Sequence, residues 1–155
     1  MRATLGAMNK QLAAVAAMVI LTVGVSAQAM VPKELAAFQG TWDVVSVGGE
    51  SLAASGATGE ITVTGDKYEV KINGAVNERG TIKVDATKTP MTIDFHIVEG
   101  PESTGGMLQL GIFEITGDTA RFHLAAPGLT PRPANFEPLP NHDIIIIKKR
   151  AAVSE

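Results

Sequence analysis

The chain has 155 residues, with 16 acidic and 13 basic side chains and no cysteine. This length favours one domain, and the lack of cysteine excludes disulfides, thiol nucleophiles and thiolate metal sites. Acidic and basic residues are interspersed, apart from "KKR" near the end, so the clustered basic face of a duplex-binding protein is missing, and we expect no nucleic-acid partner.

The N-terminal segment, residues 1–29, has the character of a secretory signal peptide. "MRATLGAMNKQ" carries two basic residues and no acid, and the apolar run "LAAVAAMVILTVGV" follows it. Small residues then allow cleavage after Ala27 or after Ala29. The alternative is a transmembrane anchor, but the run is shorter than the roughly 20 residues that a membrane span needs. We therefore predict one mature domain, residues 30–155, exported to the periplasm or the extracellular space without a membrane span.

The mature chain begins with a short helical pattern and continues with strands. "VPKELAAFQG" predicts a helical turn that ends at Gly40. Eight strand patterns follow, most of them joined by short turns: "TWDVVSV", "EITVTG", "KYEVKI", "ERGTIKVD", "MTIDFHIVEG", "MLQLGIFEITG", "TARFHLAA" and "DIIIIKKR". No helical pattern is long enough for a βαβ crossover. The sequence therefore predicts an all-β, antiparallel barrel of about eight strands with a short N-terminal helix.

The faces of these strands stay open at this stage. In the fifth strand, Phe95 shares a face with its apolar neighbours at i ± 2, opposite Asp94 and His96, but alternation does not say which face is internal. The last strand is apolar on both faces from Ile144 to Ile147. One of these faces must pack outside the sheet, against either the N-terminal helix or a second subunit.

Several blocks of the chain, in order, resemble one family. They are "LAAFQGTWDVVS", "ITVTGDKYEV", "GTIKVDATKTPMTIDF", "GIFEITGDTARFHLAAPG", "RPANFE" and the closing "IIKKR". Together they resemble the lipocalin-like domain family of uncharacterised function that is expanded in planctomycete bacteria. The resemblance covers roughly residues 35–150 and implies a small lipocalin-like barrel in an exported protein, with no known reaction. Relatives are expected often to carry Cys in the "FHL" segment, where this chain has His123.

The resemblance also assigns a structural role to the first strand. Lipocalins begin this strand with Gly-x-Trp, here Gly40 and Trp42, and the indole closes the barrel bottom. A basic side chain from near the chain end stacks over the ring, and the resemblance gives this part to Lys148 or Arg150. A cation over an indole contributes about 0.5–2 kcal/mol, so Trp42 is expected to plug the barrel rather than contact a ligand.

Catalytic and metal-binding patterns are weak. His96, His123 and His142 lie in separate segments without the local spacing of a metal site, and we predict no metal and no cofactor. An inward-facing group of Asp94, His96 and His123 is the alternative to exposed or hydrogen-bonded side chains. Neither a Gly-x-Ser-x-Gly elbow nor a phosphate-binding loop is present, so we predict no catalytic residues and favour a protein that is not an enzyme.

The proline-rich stretch "PGLTPRPANFEPLPNH" is long for a hairpin connection. Arg132, between two prolines, could present its guanidinium to an acidic ligand. The favoured interpretation is a strap that packs Phe136 and Leu139 over one barrel end, with Arg132 in a salt bridge.

We expect a non-enzymatic binding module for a small apolar ligand. The candidate lining residues are the apolar strand residues Val45, Val63, Tyr68, Phe95, Phe113 and Phe122. A barrel this short could instead be filled by its own side chains. The alternative is a structural or protein-interaction module of the cell envelope, with a protein partner or self-association through the strand Ile144 to Ile147.

Overall fold

The computed structural model describes residues 33–151, so the predicted signal peptide at 1–29 and its cleavage sites lie outside the described residues. This part begins with a 3₁₀ helix, Lys33–Phe38, and continues with strands. The strand bounds are β1 Gly40–Val47, β2 Glu50–Ser51, β3 Gly59–Thr64, β4 Lys67–Ile72, β5 Ala75–Asp85, β6 Met91–Glu99, β7 Leu108–Thr116, β8 Thr119–Ala125 and β9 His142–Lys149. No helix within 33–151 is long and apolar enough to cross a membrane.

The strands close into a barrel. β1 pairs with both β3 and β9, and each strand from β3 to β9 pairs antiparallel with the next. The two residues of β2 pair only with the end of β1 and are not part of the closed ring of strands. The predicted all-β, antiparallel, eight-stranded barrel is therefore confirmed. Closure removes the free sheet edges that an open meander would expose.

The structure decides which strand faces are internal. On β6, Ile93 and Phe95 are buried in the barrel core, while Asp94 and His96 lie on the outer wall. On β5 and β8, the buried Ile82 and Phe122 likewise lie in the core. Removing these side chains from water is the main favourable term in forming the barrel.

The 3₁₀ helix closes one end of the barrel. Its Leu35 and Phe38 are each 2% exposed, and the Phe38 ring lies 4.7 Å from that of Phe113 and 5.7 Å from that of Phe122. Trp42 at the start of β1 adds its ring at 6.0 Å from Phe38. Because the helix fills this end, it does not cover the outer face of β9.

β9 has two apolar faces with two different environments. Ile145 and Ile147 point into the core, whereas Ile144 and Ile146 are half-buried on the outer wall. Both edges of β9 are paired, one to β8 and the other to β1. Contact with a partner through Ile144 and Ile146 stays a prediction.

The proline-rich segment between β8 and β9 is a strap on the side wall, not over a barrel end. The Arg132 guanidinium donates to the carbonyl oxygens of Ile93 (2.9 Å) and Gly111 (2.8 Å) and pairs with Asp94 at 2.5 Å. Arg121 and His123 of β8, which alternation turns away from the barrel core, also contact this segment. The Arg121 guanidinium carbon lies 4.0 Å from the Phe136 ring centroid, whereas Leu139 is 46% exposed.

Candidate functional site at the barrel mouth

The barrel end opposite Trp42 opens into a cavity of about 290 Å³. β1 runs from the closed end toward this mouth, and β9 begins there, so both strands contribute residues. The apolar lining consists of Val44, Val47, Leu52, Ile61, Tyr68, Val70, Ile72, Phe95, Leu124 and Ile145. The polar lining consists of Asn77, Glu78, Gln109 and Asp143. The mouth is therefore an apolar chamber with a few polar groups, as is typical of small-molecule sites.

Aromatic side chains set the floor of this cavity. The rings of Tyr68 and Phe95 meet edge to face, with centroids 5.0 Å apart. The ring centroid of Phe95 lies 6.2 Å from that of Phe122, which is closer to the closed end. Phe122 belongs to the aromatic cluster around Phe38 that fills the closed half. The barrel is thus packed in one half and open in the other.

A glycine on β5 allows the Tyr68 ring to lie where it does. Tyr68 and Gly80 face each other across β4 and β5, and a Cβ at Gly80 would come within 2.9 Å of the Tyr68 Cε1 atom. It would also come within 2.0 Å of the His96 carbonyl oxygen. A side chain at this position would therefore displace both the ring and the neighbouring strand.

The Tyr68 hydroxyl donates a hydrogen bond of 2.7 Å to Oε1 of Glu78. Burial is the main cause that raises the pKa of the Glu78 carboxyl, and the hydrogen bond from Tyr68 opposes it. Burial is also the main cause that raises the pKa of the Tyr68 hydroxyl. The hydrogen bond to Glu78 and the negative charge of Glu78 raise this pKa further. Tyr68 is thus a neutral donor beside a carboxyl whose charge is poorly compensated.

The remaining polar groups surround this pair. An Nε2 hydrogen of Gln109 is donated to the Ala125 carbonyl oxygen at 3.0 Å, which fixes the side chain on the cavity wall. Asp143, at the start of β9, is exposed at the rim. The lining of this cavity contains two carboxylates and no Lys, Arg or His.

The predicted lining residues divide into three groups. Tyr68 and Phe95 line the cavity, whereas Val63, Phe113 and Phe122 are buried among core residues outside its lining. Val45 is 44% exposed and also lies outside it. Alternation from the buried Trp42 turns Val44 inward and Val45 outward, and a β-bulge between Val44 and Ser46 then makes Val47, not Ser46, the next residue to face the cavity.

Sequence reasoning missed the polar members of the site. Glu78 lies two and four residues before Gly80 and Ile82 on the same face of β5, and Gln109 precedes Gly111 and Phe113 in the same way on β7. Extending the alternation from the buried Ile82 and Phe113 toward the strand starts would have found both.

The residues predicted to close the barrel are placed at the end opposite this cavity. Trp42 is 1% exposed, and its Nε1 donates to the Phe38 carbonyl oxygen at 2.9 Å. The cation near the indole is Lys149, with Nζ 5.5 Å from the ring centroid, rather than Lys148 or Arg150. Alternation explains the correction, because Lys149 shares the inner face of β9 with the buried Ile147.

The two basic residues first expected over the indole lie on the outer wall instead. Arg150 pairs with Asp43 and, at 3.1 Å, with Glu60, while Lys148 lies 3.8 Å from Asp118. Gly40, with φ of 103°, occupies a conformation that favours glycine, at the point where the chain enters β1.

The histidines do not converge on the cavity. His96 is exposed on the outer wall, and His123 is fully buried beneath the strap, with Nδ1 2.5 Å from the Asn135 carbonyl oxygen. The His142 ring lies 5.2 Å from that of His123. Within residues 33–151, no group of three or more His, Asp or Glu side chains is arranged to hold a metal ion.

Comparison of the chain with models of known protein families and with curated proteins found no match.

Proposed function

We propose that this chain is an exported, lipocalin-like binding module that takes a small apolar ligand at the mouth of its barrel. The observation that carries the proposal is the division of the barrel into a packed half and an open half. In a barrel filled completely by its own side chains, packing would continue to the mouth and leave no cavity there. Instead the mouth presents ten apolar or aromatic side chains around a cavity of about 290 Å³.

The size of the cavity limits the ligand. Its volume of about 290 Å³ lies just below the range of about 300–1,000 Å³ that is usual for ligand sites. A ligand of this size buries a single short chain or one ring. A long acyl chain or a tetrapyrrole would require the aromatic floor at Phe95 to move.

The proposals of family and export rest on sequence features. The ordered blocks from "LAAFQGTWDVVS" to "IIKKR" support membership of the lipocalin-like family expanded in planctomycete bacteria. The basic start, apolar run and small-residue end of residues 1–29 support export to the periplasm or the extracellular space. Binding of a small ligand is the function that suits such a barrel, and we propose no enzymatic activity.

A titration with 1-octanol, a neutral apolar probe, tests the proposal. We expect saturable shifts of the backbone amide resonances of cavity residues such as Val44, Val70 and Leu124 in ¹H–¹⁵N NMR spectra. Val70→Trp should fill the cavity and abolish these shifts. The matched control is Val45→Trp on the outer side, which should leave them unchanged. The proposal fails if octanol binds both variants equally or shifts only resonances outside the mouth.

A further inference from the structure

The lining of the barrel mouth includes acidic side chains but no basic ones. Its two ionisable lining groups with negative charge are Glu78 and Asp143, and no basic side chain lines the cavity. Among the ion pairs formed within residues 33–151, neither carboxylate takes part. By contrast, Asp43, Glu60 and Asp94 on the outer wall all have an arginine partner.

Glu78 also has unused capacity as an acceptor. An ionised carboxylate can accept about four hydrogen bonds, and in the described part of the chain the Tyr68 hydroxyl is its one donor. Burial raises the pKa of this carboxyl, so its charge costs free energy in the cavity without a ligand. A ligand that brings a positive charge and several N–H donors would compensate for this cost.

We propose that the ligand of this cavity is a small primary ammonium ion with an apolar body. The ammonium group binds Glu78 beside the Tyr68 hydroxyl, and Asp143 attracts it at the rim. The apolar body lies against Val70, Phe95 and Ile145. This inference rests on the proposed function, because it assumes that the mouth is a ligand site.

The same arrangement disfavours carboxylate ligands such as fatty acids. A carboxylate would enter a cavity lined by two acidic side chains and no basic one, and like charges repel one another, more strongly in a partly buried site than in water. Ca²⁺ is disfavoured too, because it takes six or more oxygen ligands and most of this wall is apolar.

A set of matched probes tests the inference: n-octylammonium, 1-octanol and octanoate, which share one apolar chain and differ in head group. Their dissociation constants for the wild-type chain would be measured by calorimetry at one pH and salt concentration, with amide shifts to locate each probe. We expect octylammonium to bind at least about tenfold more tightly than octanol, and octanoate to bind most weakly.

Three variants identify the groups responsible. Glu78→Gln should reduce the ratio of ammonium to octanol affinity by about tenfold. Asp143→Asn should reduce it less, because Asp143 is exposed at the rim. The matched control is Glu114→Gln, which removes a carboxylate that pairs with Arg121 on the outer wall at 2.7 Å and should leave the ratio unchanged.

The outcomes separate this inference from the proposed function. If no probe shifts the resonances of mouth residues, the proposed function fails and the inference fails with it. If octanol binds at the mouth but octylammonium is no tighter, or octanoate is tighter, the inference alone is overturned. The same holds if Glu78→Gln preserves the ammonium preference. Should Glu78→Gln not fold, the wild-type ranking and Asp143→Asn still decide the matter.

Discussion

The Tyr68 hydroxyl donates a hydrogen bond of 2.7 Å to the Glu78 carboxyl inside the barrel mouth, where burial raises the pKa of this carboxyl and most of the wall is apolar. Gly80 makes this contact possible, since any Cβ there would meet the Tyr68 ring. The pair joins the packed half of the barrel to the open half. If the mouth binds a ligand as proposed, we expect stability and ligand choice to depend on the same two side chains.

Tyr68→Phe should destabilise the fold and raise the pKa of Glu78 further. The substitution keeps the ring contact with Phe95 and removes one hydrogen bond to a half-buried carboxyl, so we expect a loss of about 1–3 kcal/mol in the free energy of unfolding. Urea denaturation measures the loss, and an NMR titration of the Glu78 side chain measures the pKa. Unchanged values in both would show that the hydrogen bond does not form in solution.

Glu78 should also give the free energy of unfolding a distinct pH dependence. Its pKa is raised in the folded state, so the folded chain holds this proton more tightly than the unfolded chain. The resulting stabilisation is complete below the unfolded pKa of about 4.3 and is lost as pH rises through the folded pKa. The free energies of unfolding of wild type and Glu78→Gln, measured by urea denaturation from about pH 3 to about pH 9, separate this contribution from those of other groups. The difference in stability between the two should shift in favour of Glu78→Gln as pH rises; a flat difference would contradict the assignment.

Trp42→Ala should lower the free energy of unfolding strongly and change ligand affinity at the mouth little. The indole is 1% exposed and donates to the Phe38 carbonyl oxygen, so its removal leaves a void at the closed end and is expected to cost about 3–5 kcal/mol. Trp42→Phe, which retains much of the volume, should cost less. Thermal unfolding ranks the variants, and octanol titration checks the mouth. A variant of normal stability that no longer binds would show that Trp42 contacts the ligand.

Arg132→Met should release the strap from the side wall. It removes two hydrogen bonds to backbone carbonyls and leaves Asp94 without its cation, which we expect to cost about 1.5–3 kcal/mol. Limited proteolysis should then cut within residues 127–141 much faster than in wild type. Arg79→Met provides the comparison, because Arg79 bridges Glu69 and Glu99 on an exposed surface. Equal protease sensitivity of the two variants would argue against Arg132 as the anchor.

The sequence alone predicted much of the architecture because it depends on local signals. Period-2 alternation and glycine turns located eight strands, and β-hairpin connections imply antiparallel neighbours. The short helix before Gly40 also matches the 3₁₀ helix Lys33–Phe38 in place. Its task of plugging the barrel end was not predictable, because that depends on contacts with Phe113 and Phe122, far along the chain.

The site was harder to predict because small shifts in register change which side chains face inward. The bulge in β1 makes Val47, rather than Ser46, the residue that faces the cavity after Val44. The cation over the indole is Lys149 because alternation on β9 turns its neighbours outward. Ligand candidates chosen for hydrophobicity alone also mixed core residues such as Phe113 with lining residues such as Phe95.

The sequence by itself thus determined the strands, their order and the antiparallel class, since hydrophobic periodicity and turn chemistry act between near neighbours. Only the tertiary structure decided which barrel end is filled and which is open, and that Glu78 meets Tyr68 without a basic partner in the described chain. These features arise where residues distant in sequence converge on one interior. Closure of the barrel creates that interior, and no local pattern encodes its shape or its charge.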